Sequence, residues 1–247
     1  MRIGPAFKMN PSSEQGRIWT LIIATRNAHK VEEIRAILSG PFQFRTLSQF
    51  PGAPAVVEDA ATFAGNATKK AVELADWLAA TGEMKKARAE GTILVLADDS
   101  GLEVDALGGA PGVHSARFAA QDDAGPGVPS GNSSDAANNA KLLHLLREVP
   151  LEQRTARFRC VLALARVRAA TAQSGVSGGG MGSGVECFEG ACEGRIEFEA
   201  RGRGGFGYDP LFVPLGCEQS FAELGEEIKN RLSHRARALE RLRGRVC

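Results

Sequence analysis

No excess of either charge marks this chain: 30 Lys and Arg face 29 Asp and Glu in 247 residues, a formal net charge of +1. Bulk electrostatics therefore gives no reason to expect a nucleic acid or an anionic membrane as partner, and any cation that acts on a ligand must act locally. No apolar run approaches the about 20 residues needed to span a bilayer. The first 17 residues are too polar to supply the hydrophobic segment of a secretory signal. The five cysteines, Cys160, Cys187, Cys192, Cys217 and Cys247, form an odd set without a Cys-x-x-Cys pair. That suits reduced thiols in the cytoplasm better than a disulfide framework or a zinc site. Internal repeats are absent, and so is the Gly-x-x-x-x-Gly-Lys spacing of a Walker loop. The length fits one α/β domain over 19–247, behind a loose tail over 1–18.

What is present is organised around one segment. The apolar run Ile93-Leu94-Val95-Leu96-Ala97 breaks into Asp98-Asp99-Ser100-Gly101, which reads as a strand with two acids at its end. Paired carboxylates there can hold a metal, or can simply cap a turn or helix. Trp19 to Thr25 reads as a buried first strand, and Val31, Ile34, Ile37 and Leu38 recur at helical spacing over Ala28 to Leu38. Further helices are predicted over Thr62 to about Ala80, Asp135 to Arg147 and Ile228 to Arg245. Further strands are predicted over Arg157 to Val167 and around Arg195 to Ala200. Gly82 to Gly91 and Gln121 to Ser134 read as loops, and Ser174 to Gly184 as a flexible hairpin tip dispensable for the core.

Three other segments carry polar chemistry. Thr25-Arg26-Asn27-Ala28-His29-Lys30 joins the first strand to the first helix, gathering a hydroxyl, an amide, an ammonium and free helix N–H groups where an anion such as a polyphosphate would sit. A plain helix cap with an exposed lysine explains the same residues. Glu58, Asp59, Asn66, Lys69 and Lys70 place acids, an amide and cations about the start of the second helix, which a solvated helix entrance also accommodates. Gly202 to Pro214 combines a Gly-rich loop with Phe206, Tyr208 and Asp209, able to stack on a base and read its edge, or to form a turn whose aromatics fill the core. Lys229 to Arg235 then offers several donors, of which the adjacent His234 and Arg235 could both reach a carbonyl oxygen that a keto purine has and adenine lacks, or could simply decorate the surface of a helix.

In this order the residues resemble the inosine triphosphate pyrophosphatase family, also described as dITP/XTP pyrophosphatases. The resemblance runs from about Leu21 to Leu242. It rests on Thr25-x-Asn27-x-x-Lys30, Glu58 with Thr62-Phe63 and Asn66-Ala67, Ala97-Asp98-Asp99-Ser100-Gly101-Leu102, Gly108-Gly109-Ala110-Pro111-Gly112, Gly204-Gly205-Phe206-Gly207-Tyr208-Asp209-Pro210 and Ser233-His234-Arg235. The resemblance implies an elongated mixed central sheet flanked by helices, with two lobes and a nucleotide cleft between them. It implies a homodimer that hydrolyses ITP, dITP and XTP to monophosphate and pyrophosphate with Mg²⁺. Thr25, Asn27 and Lys30 would hold phosphates, and Ser100 and Lys70 would line the same cleft. Asp99 would be general base and metal ligand, with Glu58 as a second ligand and Asp59 as its rival. Phe206, Gly207, Tyr208, Asp209, Lys229, His234 and Arg235 would clamp the base. Three residues depart from the family pattern: Ala60 stands for a common Gly, Gly65 for a common Glu, and Cys192 for an often bulkier residue.

Overall fold

The computed structural model describes residues 19–83, 92–121, 131–168 and 184–246. The predicted tail over 1–18, most of the Gly82 to Gly91 and Gln121 to Ser134 loops, and the hairpin tip up to residue 183 lie outside the described residues. Strand β1 (Trp19–Ile23) is buried along its whole length and pairs in parallel with β2 (Phe42–Thr46) on one side and β3 (Ile93–Val104) on the other. Its run of large residues, apolar except for the buried Thr20, is what a strand covered on both faces requires. The sheet continues through β4 (Thr155–Arg166) and β5 (Val185–Ile196) to the short β6 (Phe212–Pro214), in the order β2-β1-β3-β4-β5-β6. Because β5 and β6 are antiparallel, the sheet is mixed, as expected.

Helix α1 (Ala28–Ile37) begins where the Asn27 side chain accepts the Lys30 N–H at 3.2 Å. Helix α2 (Phe63–Thr81) begins with Thr62 accepting from Gly65 and stops at Gly82, whose φ of 68° is a left-handed cap. Along α2 the buried residues Phe63, Ala67, Ala71, Leu74 and Leu78 keep one face inward. Helix α3 (Asp135–Leu146) follows the N-cap Ser134.

The chain forms two compact units. Among the described residues, the first takes those from Trp19 to Asp99 with those within 161–188 and from 239 onward, and the second takes those within 100–160 and 189–238. The second unit's core includes Leu102, Phe158, Tyr208, Phe212 and Phe221. Arg154, 1% exposed, is buried there with its guanidinium donating to the carbonyls of Leu146, Val149 and Glu197. Three charge-assisted bonds replace the water it gives up.

Three sequence expectations need correction. The acid-bearing strand does not end at Asp98: β3 runs on to Val104. Asp disfavours strands by local propensity, but here two lysines neutralise both acids, and fully buried Leu102 and Val104 draw the strand onward. The strand around Arg195 to Ala200 instead occupies Val185–Ile196. Its inward positions include small Gly190 and Cys192, which weaken the alternating apolar signal. The C-terminal helix is two helices, α4 (Phe221–Leu232) and α5 (His234–Val246). Ser233 divides them in an extended conformation, and its Oγ accepts the Ala236 N–H at 3.1 Å as a new N-cap.

Candidate active site

In the first unit, Asp98 and Asp99 lie on β3 below the N-terminus of α1 and the first turns of α2. The Lys30 ammonium is 2.6 Å from Asp98 Oδ1, whose side chain is fully buried. From α2, Lys70 reaches the Asp98 carbonyl at 2.8 Å, Asp99 Oδ1 at 3.1 Å and Glu58 Oε2 at 3.3 Å. Burial works against the charged form of Lys70, but Asp99, Glu58 and Asp98 together hold its pKa above the ordinary lysine range. Two lysines thus stand among three carboxylates.

Asp99 is the unusual member. Burial pushes its carboxyl up to about 6, opposed by Lys70 and Lys30 and reinforced by the nearby negative Glu58. Its Oδ2 is buried and receives no hydrogen bond among the described residues. For Glu58, burial works against ionisation, yet Lys70, Asp99 and Lys30 hold its pKa below the usual carboxylate range. Two carboxylates in contact need a shared proton or a cation between them. Among the described residues, no group of three or more His, Cys, Asp or Glu is arranged to hold a metal. A pair with one unfilled oxygen still fits a hard divalent ion that keeps waters and takes substrate oxygens. Asp59 is turned elsewhere, 65% exposed and paired with Lys69 at 2.7 Å.

Thr25 and Asn27 form a short ladder ahead of α1: Thr25 Oγ1 accepts the Asn27 N–H at 3.2 Å, and Asn27 Oδ1 caps the Lys30 N–H. The polar groups expected to meet an anion therefore stand beside a helix N-terminus.

In the second unit, the Gly-rich loop folds back on Asp209. Asp209 Oδ2 accepts the Phe206 N–H at 2.8 Å and pairs with the Lys229 ammonium, whose side chain is 4% exposed. Gly205 is obligatory there: at φ +72° a Cβ would come within 2.2 Å of Asp209 Oδ2. Lys229 and Arg235 lie 4.3 Å and 6.0 Å from the centre of the Phe206 ring. Arg235 donates to Ser100 Oγ at 3.0 Å, and the His234 ring stacks on Phe158 at 4.8 Å. This placement depends on Gly190 of β5, since a Cβ there would meet the His234 carbonyl at 2.0 Å and the Ala238 nitrogen at 2.6 Å. The ring of Tyr208 is in the core, with its hydroxyl donating to the Ser115 carbonyl at 2.9 Å.

The structure thus gathers Lys30, Glu58, Lys70 and Asp99 in one unit, and Ser100, Phe206, Asp209, Lys229 and Arg235 in the other. Sequence reasoning gave no role to Asp98 as the partner of Lys30, nor to Asp135 and Asn139, which bind the Gly207 backbone. An Asp and an Asn one helical turn apart after a capping serine were the only available sign.

The departures at positions 60 and 65 explain each other. Gly65 is the third residue of α2, where a Glu would complete a capping box with Thr62. A Cβ at position 65 would lie 2.7 Å from the Ala60 Cβ. Gly65→Ala should therefore destabilise the protein by about 1–3 kcal/mol through overpacking. In an Ala60→Gly background the 2.7 Å clash is gone and only the Thr62 hydroxyl, at 3.1 Å, has to give slightly, so the same change should gain up to about 0.5–1 kcal/mol from helix propensity. Thermal melts of the four proteins decide this: equal effects of Gly65→Ala in both backgrounds would refute the coupling.

The architecture and these side chains define a two-unit α/β protein with a lysine-bound carboxylate cluster. Solved structures of similar form include a HAM1 protein from Coxiella burnetii, with TM-score 0.69, 32% identity and coverage of 92% of this chain and 97% of that one. A nucleoside-triphosphatase / dITP/XTP pyrophosphatase from Mycobacterium abscessus aligns with TM-score 0.62 and 34% identity, over 90% of this chain and 98% of that one. The chain belongs to the Ham1 family, whose pattern it matches over residues 21–245. It is 47% identical to the dITP/XTP pyrophosphatase of Desulforamulus reducens over 90% of this chain and 92% of that protein. It is 46% identical to that of Geobacter sulfurreducens, covering 90% and 94%.

Proposed function

We propose that this protein hydrolyses ITP, dITP and XTP between the α and β phosphates, releasing monophosphate and pyrophosphate and so removing deaminated purines from the nucleotide pool. The observation that carries this reading is the buried Asp99 carboxylate, with one oxygen unfilled, beside Glu58 and two lysines. A carboxyl with a pKa near 6 is ionised at neutral pH yet basic enough to take a proton from water. Asp99 is accordingly assigned as general base. Lys30 and Lys70, with Thr25 and Asn27, meet the phosphates, and Asp98 holds Lys30 in place until they do. Glu58 and Asp99 are the residues that would hold Mg²⁺, which when bound supplies charge to the phosphate oxygens and acidifies a water.

For the base, Phe206 offers a ring face, and Lys229, His234 and Arg235 supply donors suited to a 6-keto oxygen, with Ser100 fixing the Arg235 fork. Asp209 and Tyr208 act by holding the loop, with Gly207 at its tip. An adenine amino group set against these donors leaves groups unpaired on both sides, at about 1 to 3 kcal/mol each. By the family resemblance the enzyme works as a cytoplasmic homodimer. Among the described residues no helix is long and apolar enough to cross a membrane. Neither nucleic acid nor membrane enters this reading as a partner.

Pyrophosphate release across a nucleotide panel with Mg²⁺ tests the proposal. ITP, dITP and XTP should be turned over faster than ATP, UTP and dTTP by about tenfold or more, on the scale of one unpaired polar group, and EDTA should stop the reaction. Faster turnover of UTP or dTTP than of ITP would overturn it.

A further inference from the structure

Gly207 lies between Phe206 and Tyr208, in a loop where Gly202, Gly205 and Gly207 all have positive φ. Glycines in that region leave a chain with many accessible conformers. Both ends of Gly207's backbone are nevertheless held by one helix. Its N–H donates to Asp135 Oδ2 at 2.6 Å, and its carbonyl accepts from Asn139 Nδ2 at 3.0 Å. Asp135 and Asn139 are four residues apart, so they project from the same face of α3. That helix is itself anchored, with Leu142 and Leu146 fully buried in the core and Asn138 buried and accepting the Ala119 N–H at 2.9 Å. Its N-cap is formed by Ser134, which accepts from Ala137.

We propose that Asp135 and Asn139 are positioning residues for base recognition: they clamp the Gly207 backbone and so fix the Phe206 ring against which the purine lies. This rests on the reading of function above and extends it to a second group of residues. The clamp and the loop it holds belong to the second unit, whereas Lys30, Lys70 and Asp99 belong to the first, so its action falls on recognition of the base and not on phosphate chemistry. An anionic oxygen is required at Asp135 only as an acceptor, which an asparagine also supplies.

The test uses steady-state kinetics of the full chain with ITP and ATP, and inhibition by tripolyphosphate, a probe that has no base. In Asp135→Ala/Asn139→Ala, KM for ITP should rise about tenfold with kcat within about twofold, the signature of lost binding that is uniform through the reaction. The preference for ITP over ATP should fall by a similar factor, and inhibition by tripolyphosphate should not change. Asp135→Asn should restore values near the parent's. Asp135 is exposed, so the single Asp135→Ala carries the same test should the double variant fail to accumulate. A parent that discriminates between nucleotides, with variants whose KM and preference match it, would overturn the clamp alone. So would a parallel weakening of tripolyphosphate inhibition, which would mark a general structural effect. A parent without turnover would overturn the reading of function and the clamp with it.

Discussion

Asp99→Asn should lower kcat for ITP by about 10³-fold, within the 10² to 10⁴ that a positioned general base contributes, while the protein melts no lower than the parent in EDTA. Both halves of that expectation come from the same environment. Asparagine keeps the shape and can still meet Lys70 through its carbonyl oxygen, but it can neither accept a proton from water nor carry charge toward a cation. For stability, the carboxyl's folded pKa of about 6 lies above the unfolded value near 3.9. The folded state therefore binds this proton more tightly. Asp99's contribution to stability is complete below the unfolded pKa and is lost as pH rises toward and through 6. Above that range the native protein carries a buried charge that Asn lacks, so the variant should gain on the parent from pH 4 to pH 8. A variant with more than a tenth of parental kcat, or one that melts well below the parent at pH 8, would remove Asp99 from its assigned role.

The second large effect is on folding. Asp209→Ala should destabilise the protein by about 3–5 kcal/mol, because it removes a carboxylate partner of the Lys229 ammonium in a buried site. At about 2–4 °C per kcal/mol for a chain of this size, the melting temperature should fall by roughly 10 °C. Part of that loss comes from the Phe206 N–H, which also gives up its acceptor. The double variant Asp209→Leu/Lys229→Met removes both charges together and should recover most of the lost stability, since apolar residues of similar volume replace buried ion pairs at little cost. It should not recover the preference for ITP over ATP. Calorimetry and paired kinetics separate the two: an Asp209→Ala protein that melts within a degree of the parent would show that this pair is not an important part of the fold.

Much of the local structure was legible in the sequence because it is decided by neighbours. Asn27 and Thr62 cap helices within three residues of themselves, and the buried run of β1 declares its position by composition alone. The candidate residues were legible as motifs, but not their pairings. Lys30 was expected to face phosphates and is found on Asp98, and the choice between Glu58 and Asp59 could not be made from adjacent positions of equal chemistry. Tyr208 could be read either as a base contact or as a core aromatic, and its ring packs in the core. The break at Ser233 was hidden because Leu232, Leu239 and Leu242 keep a helical rhythm across it.

By itself, then, the sequence determined the first strand, the strand before Val167, the helices α1, α2 and α3, the caps at Asn27 and Thr62, the α/β class and the roster of polar groups. These follow from interactions within a few residues, worth up to about 1 kcal/mol each. Only the tertiary structure decided that β3 passes through its two acids, that Lys70 joins Glu58 to Asp99, and that α3 holds Gly207. Those outcomes depend on charges and backbone groups brought together from 12 to 72 positions apart. A buried acid is tolerable in a strand only once its lysine has arrived, so local preference had to yield to a partner that no nearby residue announces.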